Sequence, residues 1–340
     1  MPTLTLNSGV EFFYTDSGVP LGGDDYTTLV IIHGHTFHSG TFQRISPLAH
    51  SNSLRVVCVN RREYPGSSPY SAEELNVFAS GTDAQKAGIL EQQGRDLALF
   101  VDGIIETLLG PKAGGVALCA WSMGNIFLLS LIASIQTLPA NTRARLSRHV
   151  QNIILFQPPC FVFGVLDPPG KVTPHTDPTI APAALGPTFA KWVSSYFNHR
   201  DLSTHDVDHL TYTDTDASKL PTIFGLQPQE LASMTDFAPP EKYDSFLALP
   251  AFAGPLARQV DKALFDPAVR SAWGAPTVWH LYGTAEPWNI VYGGWDIESR
   301  ARAIDSPALA INFRTIDGAN HFLVWEDPEK AVKELKACLS

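Results

Sequence analysis

Short apolar runs, separated by longer stretches with helical periodicity, are the feature that most restricts how this chain can fold. The runs lie at residues 28–33, 54–60, 115–121, 152–157, 276–283 and 309–316. A strand buried on both faces has no polar side, so continuous apolar runs with helices between them are typical of a parallel sheet covered by helices. The sequence therefore predicts an α/β fold.

The segments around these runs support the same architecture. Residues 92–109, 293–304 and 327–339 have patterns that predict helices, the first with apolar side chains at helical spacing. Residues 4–18 alternate around a turn at Asn7-Ser8-Gly9, which predicts a β-hairpin. We expect a mostly parallel sheet flanked by helices.

The pattern divides the chain into three parts. Residues 1–157 and 275–340 form the N-terminal and C-terminal parts of the core, and residues 158–274 form an insertion after the sixth strand. The insertion is rich in proline and aromatic residues and lacks strand alternation, so we expect a largely helical cap over a pocket, because so many aromatic side chains need an apolar surface to cover. A decorative surface insertion is the alternative.

Composition and charge exclude several kinds of partner. The chain of 340 residues has 34 Asp and Glu against 24 Lys and Arg and no basic run, which argues against nucleic-acid binding. The longest apolar stretch, 126–135, is about half of what a membrane-spanning helix needs, so no membrane partner is expected. The 4 scattered cysteines, without a CxxC pair, favour a reducing compartment, and we expect a cytoplasmic protein.

The segment AWSMG at 120–124 is the strongest candidate for chemistry. It follows the apolar run 115–121 and precedes an apolar helical segment. Where a strand turns sharply into a helix, small residues on both sides let the two backbones approach and present Ser122 over the sheet. The amide of Met123 and the helix dipole then stabilise negative charge beside it. A serine that merely caps the helix is the alternative.

Two later loops supply the groups that a nucleophilic serine requires. Glu286 follows the run 276–283, and His321 follows the last run. A serine hydroxyl needs a base to take its proton; imidazole titrates near neutrality, and a carboxylate fixes its tautomer and stabilises its cation. The sequence therefore predicts Ser122 as nucleophile, His321 as base and Glu286 as acid.

The first core run ends in His33-Gly34-His35, where a backbone amide is suited to stabilise an oxyanion. With this element the chain resembles the cap-bearing members of the α/β-hydrolase fold family. The resemblance covers both core parts, leaves 158–274 unmatched, and rests on the loops 33–35, 60–68, 120–124, 283–286 and 320–322. It implies that the amides of His35 and Met123 form the oxyanion hole. The residues expected to bind substrate around these loops are His33, Gly34, Phe37, His38 and Trp121.

This chain departs from the usual pattern at a few positions. Ala120 stands where glycine is usual, and Glu286 stands where aspartate is commoner, so the acid loop must lie slightly farther from the histidine. Some relatives have their acid in the loop after an earlier strand, but Gln157 there holds no charge. Asp317 and Asp296 are the fallback acids, although either is more commonly a solvated turn carboxylate.

No cofactor or metal is expected. The phosphate-binding patterns GxGxxG and GxxxxGK[ST] are missing. Two histidine clusters, His33, His35 and His38 and then His205 with His209, lack the further convergent ligands of a zinc site.

The elbow serine also excludes epoxide hydrolases and haloalkane dehalogenases of this fold, because those enzymes need a carboxylate nucleophile. We therefore predict a serine hydrolase, of carboxylesterase or lactonase type, that cleaves an ester or lactone of a small, largely apolar molecule through an acyl-enzyme. Two alternatives stay open. The same triad could serve C–C cleavage, cyanohydrin lysis or acyl transfer, or the scaffold could be a ligand receptor.

Overall fold

The computed structural model describes residues 2–22, 25–109, 113–304 and 306–339. Eight strands form one sheet: β1 (Thr3–Thr5), β2 (Glu11–Asp16), β3 (Tyr26–Ile32), β4 (Leu54–Val59), β5 (Ala113–Trp121), β6 (Val150–Phe156), β7 (Thr277–Gly283) and β8 (Asn312–Ile316). Their order is β1-β2-β4-β3-β5-β6-β7-β8. The β1–β2 hairpin and the β2–β4 pair are antiparallel, and the other pairs are parallel. The predicted α/β class with a mostly parallel sheet is confirmed.

The α-helices are α1 (Ser46–Ala49), α2 (Ala72–Ser80), α3 (Asp83–Leu108), α4 (Gly124–Ala133), α5 (Ala140–His149), α6 (Pro182–Val193), α7 (Pro228–Met234), α8 (Ser245–Leu247), α9 (Ala253–Phe265), α10 (Pro267–Ala272), α11 (Trp288–Arg302), α12 (Leu323–Glu326) and α13 (Pro328–Lys336). Helix α3 begins earlier than the pattern at 92–109 indicates. Thr82 and Gln85 form a reciprocal capping box there, which satisfies free amides at the helix start.

Helices cover both faces of the sheet. Along β3, Val30 and Ile32 pack in an apolar cluster with α3 and α4, whereas Leu29 and Ile31 pack in a second cluster with α13. Successive side chains of a strand point to opposite faces, so a strand in this position must be apolar throughout. This two-sided burial explains the continuous apolar runs of the sequence.

Helices α6 to α10 lie between β6 and β7, so the insertion after the sixth strand is largely helical, as predicted. Its last part packs with the core: Leu256, Val260 and Leu264 of α9 belong to the same apolar cluster as α3 and α4. The boundaries 158–274 for a cap remain a prediction. Within the described residues, no helix is both long and apolar enough to cross a membrane.

His280 is a buried imidazole in the centre of β7 that the fold leaves without polar partners. Neither ring nitrogen has a hydrogen-bond partner among the described residues. The rings of Phe163 and Phe313 surround it at centroid distances of 6.0 and 5.7 Å. Burial lowers the pKa of His280 from 6.5 to about 3, so the ring is neutral in the folded protein.

We expect His280→Phe to stabilise the protein, and more so in acid. Below pH 6.5 the unfolded chain binds a proton at this histidine that the folded chain does not. The free energy of unfolding therefore falls by about 1.4 kcal/mol for each unit by which the pH is lowered. The phenyl ring removes that dependence. Urea denaturation of both proteins at about pH 7 and about pH 5 measures it. An equal difference in unfolding free energy at the two pH values would contradict the assignment.

Candidate active site

Ser122 lies in the tight turn between β5 and α4. Its φ of +57° is in the left-handed region, which a non-glycine residue adopts only where the surroundings impose it. A Cβ at Gly124 would lie 2.4 Å from the carbonyl oxygen of His33, and one at Gly34 would lie 2.8 Å from the Cβ of Ser122. Both positions therefore require glycine. Ala120, in contrast, is fully buried in the apolar core, where its methyl group is accommodated.

His321 and Glu286 form a buried pair at the ends of the last two strands. The Nδ1 atom of His321 lies 3.0 Å from Oε2 of Glu286. The other carboxyl oxygen of Glu286 accepts a hydrogen bond from the amide of Gly283. The ring of Trp121 stacks on the imidazole at 4.7 Å, with 25° between the planes. These contacts fix the orientation of the imidazole and leave its Nε2 free of the carboxylate.

Burial has opposite effects on the two members of the pair. It lowers the pKa of His321 below the ordinary value of 6.5, so the imidazole is neutral near pH 7. It raises the pKa of Glu286, while hydrogen bonds from Gly283 and from the side chain of Gln157 act in the other direction. A neutral imidazole beside an acceptor oxygen is the state that a general base requires.

Ser122 and His321 line one cavity, together with residues of the insertion. His35 and Met123 also line it. Within the described residues, no acceptor lies against the amide of His35 or of Met123. No hydrogen bond among the described contacts joins Ser122 Oγ to His321, as is common for catalytic pairs before substrate binds.

The fallback acids lie elsewhere. Asp317 accepts a hydrogen bond from the hydroxyl of Thr284 at 3.3 Å. Asp296 is half-buried on α11 and lies 3.7 Å from Arg300. Neither is paired with His321, whose described carboxylate partner is Glu286.

The residues predicted to bind substrate do not line the cavity, so far as the structure describes it. His33 is fully buried and accepts a hydrogen bond from the amide of Arg61 at 3.0 Å. Phe37 packs against Phe322, with ring centroids 4.7 Å apart. The imidazole of His38 accepts a hydrogen bond from the amide of Gly40 at 3.3 Å. These contacts indicate that the side chains of His33, Phe37 and His38 pack against neighbouring residues and stabilise the loop.

Trp121 and Gly34 are the other two residues expected to bind substrate, and both make hydrogen bonds that support the loops next to the cavity. The indole nitrogen of Trp121 donates to Gln157 Oε1 at 2.7 Å and to the carbonyl of His321 at 3.2 Å. The carbonyl of Gly34 accepts a hydrogen bond from Arg61 at 2.7 Å. The side-chain amide of Gln157, discounted as an acid, also donates to the carbonyl of Asn320 at 3.3 Å, so Gln157 links the elbow strand to the histidine loop.

Arg61 is a buried cation that the sequence did not single out. Its guanidinium makes two hydrogen bonds to Asp244, at 2.8 and 2.7 Å, and neither side chain is more than 1% exposed. It also donates to the carbonyl oxygens of His33 and Gly34, at 3.1 and 2.7 Å. The ion pair therefore ties the loop after β3 to a π-helical turn, Pro240–Asp244, in the insertion.

Further contacts reinforce this tie. The hydroxyl of Tyr64 donates to Asp244 at 2.6 Å and accepts from the amide of Thr36 at 2.9 Å. The Nε2 atom of His35 lies 3.1 Å from the hydroxyl of Ser245. The backbone on both sides of the His35 amide is thus anchored, so we assign Arg61, Tyr64 and Asp244 to positioning the loop. Asp244 is far from this loop in sequence, so no local motif predicted it.

Within the described residues, no group of three or more His, Cys, Asp or Glu side chains is placed to hold a metal ion. His205 and His209 do not share a helix: His205 stacks on Trp295 at 5.0 Å, and His209 lies 3.0 Å from the hydroxyl of Thr204. The four cysteines are free and buried.

Asp244→Ala tests the positioning network, because it leaves Arg61 buried without a counter-ion. We expect the unfolding free energy to fall by about 3–5 kcal/mol. The double variant Arg61→Met with Asp244→Leu removes both charges and should recover most of this stability, yet turnover should stay low because the loop carbonyls have lost their donor. Chemical denaturation and kcat measure the two effects.

The matched control is Asp83→Ala, which breaks an exposed ion pair with Arg258 at 3.4 Å and should change stability and turnover little. Recovery of full turnover in the double variant would argue against a positioning role for the network.

The comparisons with known proteins agree with this architecture. Among solved structures, an esterase from Thermogutta terrifontis is 17% identical with a TM-score of 0.53, and the match covers 100% of this chain and 98% of that one. An enol-lactonase from Burkholderia xenovorans LB400 is 14% identical with a TM-score of 0.51, and covers 99% of each chain. An esterase from Exiguobacterium antarcticum is 14% identical with a TM-score of 0.53, over 98% of this chain and 97% of that one.

At these identities the likeness shows the fold. A comparison with curated protein sequences found no match. The model of the alpha/beta hydrolase family matches residues 29–335, nearly the whole chain. The chain therefore belongs to the alpha/beta hydrolase family.

Proposed function

We propose that this hydrolase cleaves an ester or lactone of a small, largely apolar molecule, with Ser122 as nucleophile, His321 as base and Glu286 as acid. The observation that carries the proposal is the cavity that Ser122 and His321 both line. Outside this pair of residues, Nδ1 of His321 lies 3.0 Å from the buried carboxyl group of Glu286. Fold alone does not decide the reaction, so the argument rests on this site.

In the first stage, Ser122 Oγ attacks the carbonyl carbon of the substrate while Nε2 of His321 takes the hydroxyl proton. Nε2 is the available nitrogen because Nδ1 faces Glu286. The amides of Met123 and His35 donate to the oxyanion. When the tetrahedral intermediate collapses, the C–O bond to the alcohol breaks, the proton passes from His321 to the leaving oxygen, and an acyl-enzyme remains.

In the second stage, water attacks the acyl carbon and gives its proton to His321. The bond to Ser122 then breaks, the proton returns to Oγ, and the free acid leaves. The carboxyl group of Glu286 stabilises the imidazolium that exists transiently in both stages. A lactone follows the same steps, except that the leaving hydroxyl stays attached to the acid.

The walls of the cavity support a largely apolar substrate. Phe161, Phe189 and Trp192 line it and come from the insertion. Aromatic walls favour apolar groups of matching size. We accordingly propose that residues 158–274 act as the cap of this site. An esterase and an enol-lactonase are among the proteins with this fold, which is consistent with cleavage of an ester or lactone.

Three substitutions test the triad. Ser122→Ala and His321→Ala should each abolish turnover, with a loss of kcat of about 10⁴-fold or more, because the nucleophile and its base act as a unit. Glu286→Gln should cause a smaller loss, of about 10²-fold or more, because the amide keeps the shape but loses the charge that stabilises the imidazolium. Initial rates on a graded panel of esters and lactones measure these effects.

Ser203→Ala is the matched control, because that serine is exposed in the insertion and should tolerate the change. Circular dichroism checks that every variant is folded. Turnover retained by folded Ser122→Ala would contradict the proposal.

The pH dependence offers an independent test of the base. Since burial lowers the pKa of His321, its protonation, which removes the base, occurs at lower pH than for an ordinary histidine. We expect the acid limb of kcat/KM to have its midpoint below the ordinary histidine value of 6.5. A profile measured over the range in which the protein stays folded gives the midpoint. A midpoint at or above that value would show that the imidazole is not buried in the active state.

A further inference from the structure

The cavity carries polar side chains that the proposed reaction does not use. Most of its walls are apolar, but His175 from the insertion and Asn289 from the start of α11 also line it. The side chain of His35 is different, because both of its ring nitrogens lie near hydroxyl groups, of Thr36 at 2.8 Å and of Ser245 at 3.1 Å. His175 and Asn289 are therefore the groups whose role needs an explanation.

His175 is held in place by rings rather than by hydrogen bonds. Its imidazole lies 5.1 Å from that of His35 and 4.9 Å from the ring of Phe189. Within the described residues, neither of its nitrogens has a hydrogen-bond partner. Burial lowers the pKa of His175 to about 4, so the ring is neutral and offers one donor and one acceptor.

Asn289 is only 4% exposed, and its Oδ1 atom is buried without a partner in the described part of the chain. A buried amide left in this state is costly. Asn320, also buried, shows how the fold satisfies such a group elsewhere: its amide nitrogen donates to the carbonyl of Ser194 and to the hydroxyl of Thr222, each at 3.0 Å. Asn289 therefore has hydrogen-bonding capacity that the described protein leaves unused.

The charge of the cavity restricts what these groups could bind. None of the lining residues that the structure describes is Lys, Arg, Asp or Glu. A charged substrate group buried here would lack a counter-ion, and burying an unpaired charge is strongly unfavourable. A neutral hydroxyl or carbonyl group matches a neutral imidazole and an amide, because these two side chains offer both hydrogen-bond donors and acceptors and carry no charge.

We infer that His175 and Asn289 bind a neutral hydroxyl or carbonyl group that the substrate carries in addition to the ester attacked by Ser122. The inference rests on the proposed function and narrows it to hydroxy- or oxo-substituted esters and lactones with an otherwise apolar body. A site built to hydrogen-bond a substrate group rejects the analogue that lacks it, because its own polar atoms are then left unpaired.

Matched esters test this selectivity. The acyl-side set is methyl pentanoate with its 3-hydroxy and 3-oxo derivatives, and the alcohol-side set is propyl acetate with 2-hydroxyethyl acetate. Released acid is titrated to obtain kcat/KM for the wild type, His175→Phe, Asn289→Leu and Val193→Ala. The readout is the ratio of kcat/KM between each substituted ester and its plain partner, which cancels general losses of activity.

We expect the wild type to favour at least one substituted ester, and His175→Phe and Asn289→Leu each to lower that ratio by about tenfold. Val193→Ala is the matched control: it changes an apolar part of the cavity wall but keeps His175, Asn289 and the ring that packs on His175, so its ratio should stay near that of the wild type. Ratios unchanged in both His175→Phe and Asn289→Leu would overturn the inference.

Binding separates this inference from the proposed function. In a Ser122→Ala background the esters are not consumed, so calorimetry gives Kd for the substituted and plain esters with and without His175→Phe. A preference for the substituted ester that is lost with His175→Phe supports the inference even if the wild type hydrolyses none of the esters, a result that would contradict the proposed function alone. Equal Kd values for substituted and plain esters overturn it.

Discussion

The buried ion pair between Arg61 and Asp244 is the interaction on which the site depends. It joins two parts of the chain that are far apart in sequence, and neither side chain is more than 1% exposed. The guanidinium also donates hydrogen bonds to the carbonyls of His33 and Gly34 and to the hydroxyl of Tyr243. Such a pair is costly to desolvate and even more costly to break. Its effect is to fix the loop after β3 and the π-helical turn Pro240–Asp244 of the insertion in one arrangement.

A second constraint acts at the elbow. Ser122 is held at a φ of +57° by the hydrogen-bonded strand before it and the helix after it, and only glycine fits at Gly34 and Gly124. This strained backbone brings the serine to the cavity wall near the amides of His35 and Met123, which have no acceptor among the described residues. Opposite, Trp121 and Gln157 brace the loop of His321. The groups of the proposed triad thus come from separate strand ends, each supported by contacts outside the cavity.

Local patterns explain how much of this was predictable. The strand–serine–helix sequence around Ser122 is a local signal, and His321 and Glu286 each follow a strand whose end meets the same edge of a parallel sheet. Their proximity therefore followed from topology. The cluster of His33 and Phe37 was harder to interpret, because sequence does not tell which side of a loop faces the cavity. Asp244 was not predicted, because a partner so distant in sequence is selected by tertiary packing alone.

The covalent reactivity of Ser122 is the most direct test of the central claim. Intact-mass analysis after treatment with a fluorophosphonate, which phosphonylates activated serines, compares the wild type with Ser122→Ala and His321→Ala. The account predicts one adduct on the wild type, none on Ser122→Ala, and strongly slowed labelling of His321→Ala. Equal labelling of Ser122→Ala, or a folded wild type that stays unlabelled by the smallest probes, would contradict it.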